Sequence, residues 1–273
     1  MRVTTASRSV PLVRIGAERT SDRDEVAVEE PMEVRVNGAP FAVIMRTPGA
    51  DRQLAAGFLL AEDVIRSSDE LLTIEECEDT SEEGRGNTLN VTVGGAAIER
   101  LSSRLGERRQ VMMTASCGLC GRRTIETLRS RVATVDGNWS ISAERLRQLP
   151  ARLRDAQQVF ETTGGLHAAG LFDRDGTLRH VAEDVGRHNA VDKIIGRHVL
   201  QDALPLVNSI LVVSGRTSYE LVQKALLAGI PFVAAVSAPS SLAIELAEAS
   251  GITLCGFLRG DRFNAYTHDY RIT

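Results

Sequence analysis

Residues 208–258 read NSILVVSGRTSYELVQKALLAGIPFVAAVSAPSSLAIELAEASGITLCGFL, and this stretch decides the fold class. Three short apolar runs, NSILVVS, FVAAVS and ITLCGFL, alternate with two stretches that have helical periodicity, 216–228 and 239–250. Strands that are apolar along their whole length and separated by helices are typical of a parallel sheet buried on both faces. The segment therefore predicts an α/β domain with helices on both sides of a sheet.

The same alternation continues on both sides of this segment. We expect a helix over 142–160, strands over 167–172 and 178–183, a helix over 186–200 and a terminal strand near FNAYT. The uncharged residues 225–244 are long enough to span a membrane. Gly229, Pro231 and Pro239 divide them into a helix end, a strand and a new helix start, which is a pattern of globular α/β domains.

The residues before this domain predict a smaller α+β lobe. MEVRVNGAPFAVIMRT alternates as two strands around Asn37-Gly38, which is the strongest short-range hairpin signal. A helix is expected over about 51–64 and another over 121–132, with further strands at LLTIEEC, TLNVTV and RRQVMMT. Residues 1–30 mix charges without periodicity and predict a flexible arm. The predicted division is thus arm 1–30, lobe 31–138 and α/β domain 139–273.

Composition excludes several classes of protein. The 273 residues are 43% hydrophobic and 25% charged, with a formal net charge of −4 and 4% aromatic residues. Disordered, collagen-like and disulfide-stapled chains are excluded by these values. An acidic balance with few aromatic residues also argues against nucleic-acid binding. The first twenty residues lack a continuous apolar run, so we expect a cytoplasmic protein that does not interact with membranes.

Two of the four cysteines form a close pair, Cys117-Gly118-Leu119-Cys120, in an arginine-rich stretch. Three chemistries use such a pair: a zinc site, a thioredoxin-like disulfide, and a sulfur carrier that holds a persulfide on a thiolate. Zinc needs two further ligands, and a redox pair normally follows a strand directly. Arginines and a following helix would lower the pKa of a carrier thiol. Spacing alone leaves the three alternatives open. Cys77 and Cys255 are interpreted as small buried hydrophobic residues.

Two further groups of residues are candidates for function. Residues 214–216 and 237–240 each connect a strand to a helix, where backbone amides bind phosphates, but their serines are equally suited to cap those helices. Residues 183–193, EDVGRHNAVDK, open a helix with many polar groups, and His188 and Asp192 share one helix face. This run is expected either to be catalytic or to hold the helix against the loop at 162–165 and His167.

Taken together, these segments make the chain resemble the formate dehydrogenase accessory sulfurtransferase family, the FdhD-type proteins, from about Pro31 to Tyr266. Seven stretches carry the resemblance in the same order: GFLLAEDVI, SCGLCG, TGGLHAAGLF, EDVGRHNAVDK, SGRTSYELVQKA, AVSAPSSLA and TLCGFLRGDRFNAYTH. A single short motif of this kind would be weak. Seven in order make a chance similarity very improbable.

The resemblance implies a specific function. Members of this family take persulfide sulfur from a cysteine desulfurase and transfer it to the molybdenum bis(molybdopterin guanine dinucleotide) cofactor, which formate dehydrogenase requires. The family's persulfide cysteine corresponds to Cys117, and Cys120 corresponds to the second cysteine, which would assist transfer or resolve the persulfide. The family's cofactor-binding segment corresponds to Phe257, Leu258, Arg259, Gly260, Asp261 and Arg262. The cofactor is a bound substrate here, and no structural metal is expected.

The resemblance also implies a fold and an assembly. The family's C-terminal domain is similar to cytidine deaminase, a three-layer α/β/α sandwich, and its members form homodimers. The zinc-deaminase motifs are absent, because Ala169 stands where the H-x-E signature needs a glutamate after His167, and no proline precedes Cys117. Two rival functions remain: a cofactor chaperone for formate dehydrogenase that moves no sulfur, and a zinc-dependent deaminase.

Overall fold

The computed structural model describes residues 5–77, 86–108, 134–135 and 137–273. It begins with an antiparallel hairpin of β1 (Ser7–Ile15) and β2 (Arg19–Ala27), in register from Ser7 opposite Ala27 to Ile15 opposite Arg19. The sequence analysis predicted a flexible arm over residues 1–30 and did not identify the two strands of this hairpin. Most of its side chains are exposed, so the hairpin lacks the apolar alternation by which strands are recognised in a sequence.

The next lobe contains a four-stranded sheet and two helices. Its strands and helices, in chain order, are β3 (Glu30–Val36), β4 (Ala39–Arg46), α1 (Asp51–Ala61), β5 (Leu71–Glu76), β6 (Thr88–Val93) and α2 (Ala97–Arg108). The strand order is β4-β3-β6-β5. Asn37 and Gly38 both have positive φ, 50° and 80°, as the predicted two-residue turn requires. The sequence analysis missed α2. The predicted helix at 121–132 lies outside the described residues, as does the predicted strand RRQVMMT after its first residue, Arg108, which ends α2.

The C-terminal domain contains six strands and five helices. They are α3 (Ala143–Asp155), α4 (Gln158–Thr163), β7 (His167–Asp173), β8 (Leu178–Asp184), α5 (Arg187–Leu200), β9 (Ser209–Val213), α6 (Tyr219–Leu227), β10 (Phe232–Ala235), α7 (Ser241–Ser250), β11 (Thr253–Arg259) and β12 (Arg262–Thr267). The order is β12-β11-β10-β9-β7-β8, with β9, β10 and β11 parallel and the outer neighbours antiparallel.

Helices cover both faces of this sheet, as the apolar strands predicted. On one face, Leu211, Val233 and Leu254 belong to a buried cluster shared with α5, α6 and α7. On the other face, Phe172 and Phe232 pack with the buried leucines of α3. The α/β class is confirmed. The specific likeness to cytidine deaminase stays a prediction.

Residues 142–160, predicted as one helix, form two. Backbone bonds from Ala156 N to Leu153 O and from Gln157 N to Arg154 O tighten the end of α3. The carboxylate of Glu183 then accepts hydrogen bonds from Val159 N at 3.0 Å and Phe160 N at 2.7 Å. These bonds satisfy free amides at a new helix start, so α4 begins as a separate helix.

Helices α1 and α5 join the lobe to the C-terminal domain. They cross where Gly57 faces Asp192 and Gly196 faces Gln53, so that backbone touches backbone without an intervening side chain. Residues of both helices and both sheets form one continuous cluster of buried apolar side chains. The lobe and the domain therefore share a core.

Within the residues that the structure describes, no helix combines the length and apolar character needed to cross a bilayer. Residues 225–244 contain the end of α6, all of β10 and the start of α7. The proposed division by Gly229, Pro231 and Pro239 is thus confirmed.

Candidate functional site

The carboxyl ends of β9, β10 and β11 meet at one edge of the sheet, where open α/β sheets bind ligands. The loops that follow them are bonded to one another. Thr217 N donates to Ala238 O at 3.1 Å, and Ser240 N donates to Thr217 O at 2.9 Å. Phe257 N donates to Ser237 O at 3.1 Å. The two predicted phosphate loops and the start of the predicted cofactor segment are thus brought together.

The predicted cofactor segment, residues 257–262, comprises the end of β11, a turn at residues 260 and 261, and the first residue of β12. Arg259 Nε donates to Val236 O at 2.8 Å, which holds the turn against the neighbouring loop. Leu258 is buried, whereas Arg259, Gly260, Asp261 and Arg262 are exposed. The segment offers two arginine side chains at the sheet edge, and arginine suits phosphate recognition.

Phe257 has an unusual backbone in β11, where the pairing with β12 changes register between Gly256 and Arg259. Its φ is 54°, in the left-handed region that a bulky residue rarely adopts, and its side chain is 40% exposed. Neither feature favours folding, because such a backbone costs about 1–3 kcal/mol and an exposed phenyl ring gains little burial. Residues kept in such conformations cluster at binding sites.

Two serines of the predicted phosphate loops, Ser214 and Ser240, have hydroxyls that are hydrogen-bonded within the protein. Ser240 caps α7 by accepting from Ala243 N at 3.3 Å, as a capping residue should. Ser214 Oγ accepts from Ala168 N at 2.9 Å, which joins β9 to β7. Both hydroxyls thus have structural partners, and Arg216 is the exposed charged side chain of its loop.

The polar run 183–193 attaches the first lobe to α5. Asp184 is fully buried and accepts hydrogen bonds from Thr47 N at 3.2 Å, Gly186 N at 2.8 Å and Asn189 Nδ2 at 2.8 Å. Lys193 Nζ lies 2.8 Å from the same carboxylate and donates to Thr47 O at 2.8 Å. These side chains therefore hold the helix to Thr47. The sequence analysis expected the loop at 162–165 and His167 instead, and did not name Thr47. No short-range pattern could identify this residue, because 137 positions separate it from Asp184.

Replacing Lys193 by methionine should lower the free energy of unfolding by about 3–5 kcal/mol, because Asp184 would keep a buried charge without its partner. Urea unfolding measures this change. The matched control is Arg179→Met, which removes an exposed ion pair with Asp173 and should cost less than about 1 kcal/mol. Equal losses in the two variants would contradict the structural role of Lys193.

His188 and Asp192 both face α6, as their shared helix face predicted. His188 Nε2 lies 2.8 Å from Glu220 Oε2 and 3.2 Å from Ser218 Oγ. Asp192 Oδ1 lies 2.6 Å from Lys224 Nζ, and both side chains are buried. The Asp192 pair is deep between the helices, whereas His188 lies in the first turn of α5, next to the sheet edge.

The cysteines differ in their surroundings. Cys117 and Cys120 lie outside the described residues. Cys255 is fully buried in β11, and burial raises the pKa of its thiol to about 12, which makes it a poor nucleophile. Cys77 directly follows β5 and is partly exposed, so its prediction as a buried strand residue is wrong.

His198 is a buried titratable group at the far end of α5. It is 8% exposed, its two ring nitrogens have no hydrogen-bond partner among the described residues, and the His180 ring centroid is 5.0 Å from its own. Burial, followed by the charges of His180 and Arg197, lowers the pKa of His198 to about 4. The folded protein therefore holds this imidazole neutral.

The protein should consequently lose stability in acid through His198. An unfolded histidine binds a proton as the pH falls through 6.5, but folded His198 binds it only near pH 4. Between these values the unfolding free energy should fall by about 1.4 kcal/mol per pH unit, about 3 kcal/mol in all. Urea unfolding from pH 7 to 4 should show a shallower fall in His198→Leu. If the unfolding free energy of His198→Leu falls as steeply with pH as that of the wild type, a group other than His198 causes the loss of stability.

Among the described residues, no three His, Cys, Asp or Glu side chains come together as metal ligands would. The deaminase alternative therefore gains no support from this part of the chain.

Comparisons with known proteins identify the same family as the sequence motifs. A model of the FdhD/NarQ family matches residues 27–273. Curated relatives named "Sulfur carrier protein FdhD" include one from Streptomyces avermitilis, 49% identical and covering 98% of this chain and 95% of the relative, and one from Mycobacterium tuberculosis, 48% identical over the full length of both chains. A solved structure described as a putative formate dehydrogenase accessory protein from Desulfotalea psychrophila superposes with a TM-score of 0.77, at 25% identity, covering 98% of this chain and 100% of that one.

Proposed function

Because the chain belongs to the FdhD/NarQ family, we propose that it is a sulfur carrier for formate dehydrogenase, with Cys117 as the residue that carries the sulfur. The observation that carries this proposal is the Cys117-Gly118-Leu119-Cys120 pair, in a chain whose curated relatives are named sulfur carrier proteins. It would act in the cytoplasm, as a homodimer, and serve as a sulfurtransferase with a persulfide intermediate.

In the loading step, the donor is a cysteine desulfurase that bears a persulfide. The thiolate of Cys117 attacks the terminal sulfur of that persulfide, a new S–S bond forms on Cys117, and the donor's cysteine leaves as a thiolate. Attack requires a thiolate. The arginines near Cys117 in the sequence favour the thiolate, because nearby positive charge lowers a thiol pKa.

In the release step, Cys120 supplies the second thiol. Its thiolate attacks Cys117 Sγ, the bond to the terminal sulfur breaks, and that sulfur leaves as hydrosulfide while a Cys117–Cys120 disulfide forms. A cellular dithiol then reduces the disulfide. The two electrons that convert the terminal sulfur to sulfide thus come from the cysteine pair.

The acceptor is proposed to be the molybdenum bis(molybdopterin guanine dinucleotide) cofactor, bound as a substrate at the sheet edge. The residues present fit such a ligand. Residues 257–262 expose the side chains of Arg259 and Arg262, and the helices that begin beside this edge direct their amide groups to it. The strained, exposed Phe257 is also better explained by a ligand than by folding.

The test is intact mass spectrometry after incubation with a cysteine desulfurase and cysteine. The wild type should gain one or more sulfur atoms that a reductant removes, and Cys117→Ala should gain none. Cys255→Ala, which removes a buried thiol, should load like the wild type. A wild type that gains no sulfur would overturn the carrier function and favour a chaperone that only binds the cofactor.

A further inference from the structure

The imidazole of His198 is buried without the partners that its nitrogens need. Six buried side-chain nitrogen or oxygen atoms in the described part of the chain lack a hydrogen-bond partner, and two of them are Nδ1 and Nε2 of His198. A neutral imidazole has one donor and one acceptor, and buried polar groups are almost always paired with protein, water or a bound ion. Both nitrogens therefore call for a partner that the described residues do not supply.

His180 lies beside this ring. It belongs to β8, the outermost strand at one edge of the C-terminal sheet, and it is partly exposed. The two ring centroids are 5.0 Å apart and the ring planes are inclined by 57°. Neither ring has a hydrogen bond or an ion pair with any described residue, so no such bond fixes its rotation. Each ring can therefore direct a nitrogen to a point between them, and His180 gives that point access to solvent.

The separation of the two rings fits a tetrahedral metal ion. Zinc binds imidazole nitrogen at about 2.0–2.1 Å, and this nitrogen is about 1.1 Å from the ring centroid, so the ion would lie about 3.2 Å from each centroid. A tetrahedral angle at the ion then places the centroids about 5.2 Å apart, whereas a linear arrangement needs about 6.4 Å. The observed 5.0 Å agrees with the tetrahedral geometry that zinc prefers.

The surroundings keep both rings in the form that binds metals. Burial, followed by the charges of Arg197 and Arg179, lowers the pKa of His180, and the pKa of His198 is lowered to about 4. Metal ions bind the unprotonated imidazole, which both residues therefore present at neutral pH. Helix α5 ends at Leu200, so the negative end of its dipole favours a cation here. Arg179 is already paired with Asp173, whereas the charge of Arg197 opposes the ion.

We propose that His180 and His198 bind a zinc ion between β8 and the end of α5, with water completing the tetrahedral coordination. Eleven residues, or about 16 Å of helix, separate His198 from Arg187, which opens α5 near the carboxyl edge of the sheet. The site is thus apart from the proposed cofactor region, and the inference does not depend on the proposed function. The sequence analysis expected no structural metal, and no short-range pattern joins these two histidines.

The experiment titrates zinc chloride into the full chain carrying Cys117→Ala and Cys120→Ala, because cysteine thiolates also bind zinc. This background protein should bind one zinc ion per chain by calorimetry. His180→Gln and His198→Gln in the same background should each weaken binding at least about 10-fold, since a ligand is lost. The control is His268→Gln, because His268 Nε2 already has a partner in Glu248 O at 3.0 Å. This variant should bind zinc like the background.

Two further measurements are independent of ligand removal. Arg197→Gln should tighten zinc binding several-fold, because a positive charge that opposes the ion is removed. Zinc should also raise the urea midpoint of the background protein and leave that of His180→Gln unchanged, since an ion that binds only the folded chain stabilises it.

The inference is overturned if the background protein binds no zinc, or if either histidine variant binds it as the background does. Unchanged or weaker binding in Arg197→Gln would also overturn it, by placing the ion elsewhere. If the buried His198→Gln does not fold, His180→Gln on the edge strand decides by the same criterion. Persulfide loading is measured separately on the wild type, so failed loading would overturn the carrier function and leave the zinc site standing.

Discussion

Replacing Gly196 by alanine should lower the free energy of unfolding by at least about 4 kcal/mol, far more than an ordinary helix substitution. The added Cβ would overlap the carbonyl oxygen of Gln53 and lie 2.5 Å from Gly57 N. Both atoms belong to the backbone of α1, so no side chain can rotate away. Alanine favours a helix by about 1 kcal/mol over glycine, which is too small to compensate. Helix α1 would have to move away from α5 and open the shared core.

Urea unfolding measures this loss of stability. Gly57→Ala should cause a similar loss, because its Cβ would overlap the backbone of Asp192. Gly165→Ala is the matched control. The nearest atom to its Cβ would be Ala27 Cβ at 3.5 Å, an ordinary contact, so it should change stability by less than about 1 kcal/mol. If Gly196→Ala unfolds at the urea concentration of this control, the close crossing of α1 and α5 is not as described.

The elements that the sequence predicted well are those specified by neighbouring residues. The apolar runs of β9, β10 and β11 and the Asn37-Gly38 turn are short-range signals, and the structure has them where expected. The hairpin at residues 7–27 was missed because its exposed strands have no apolar face. The break in 142–160 was missed because a side chain from β8, Glu183, determines it.

The candidate site likewise has parts that the sequence predicted and parts that it did not. In this fold, the loops that follow parallel strands meet at one edge of the sheet. This rule correctly predicted that residues 214–216 lie beside residues 237–240. The run 183–193 was also expected to lie against His167, and Arg187 of that run does lie beside it. The network of Thr47 with Asp184 was missed, because it depends on packing between distant segments. The residues that neighbour such a position in the sequence do not indicate which distant residue it contacts. The role of Cys117 stays a prediction of the motif.

A strain in which the only copy of this protein carries Cys117→Ala should have no formate dehydrogenase activity, because the persulfide cannot form without that thiolate. The measurement is formate oxidation in extracts, with the amount of the variant protein determined in parallel. Loss of function should not reflect unfolding, since the substitution removes one sulfur atom and neither adds volume nor buries a charge. The unfolding midpoint of the purified variant should therefore equal that of the wild type.

Cys120→Ala separates the two thiols. If Cys120 releases the sulfur, this variant should load a persulfide on Cys117 as the wild type does, but the persulfide should persist because no second thiol attacks Cys117 Sγ. Formate dehydrogenase activity should then fall although loading is intact. Cys255→Ala should retain activity, since its buried thiol stays protonated. Full activity in Cys117→Ala would exclude a persulfide at this residue, and full activity in Cys120→Ala would mean that the two electrons come from another donor.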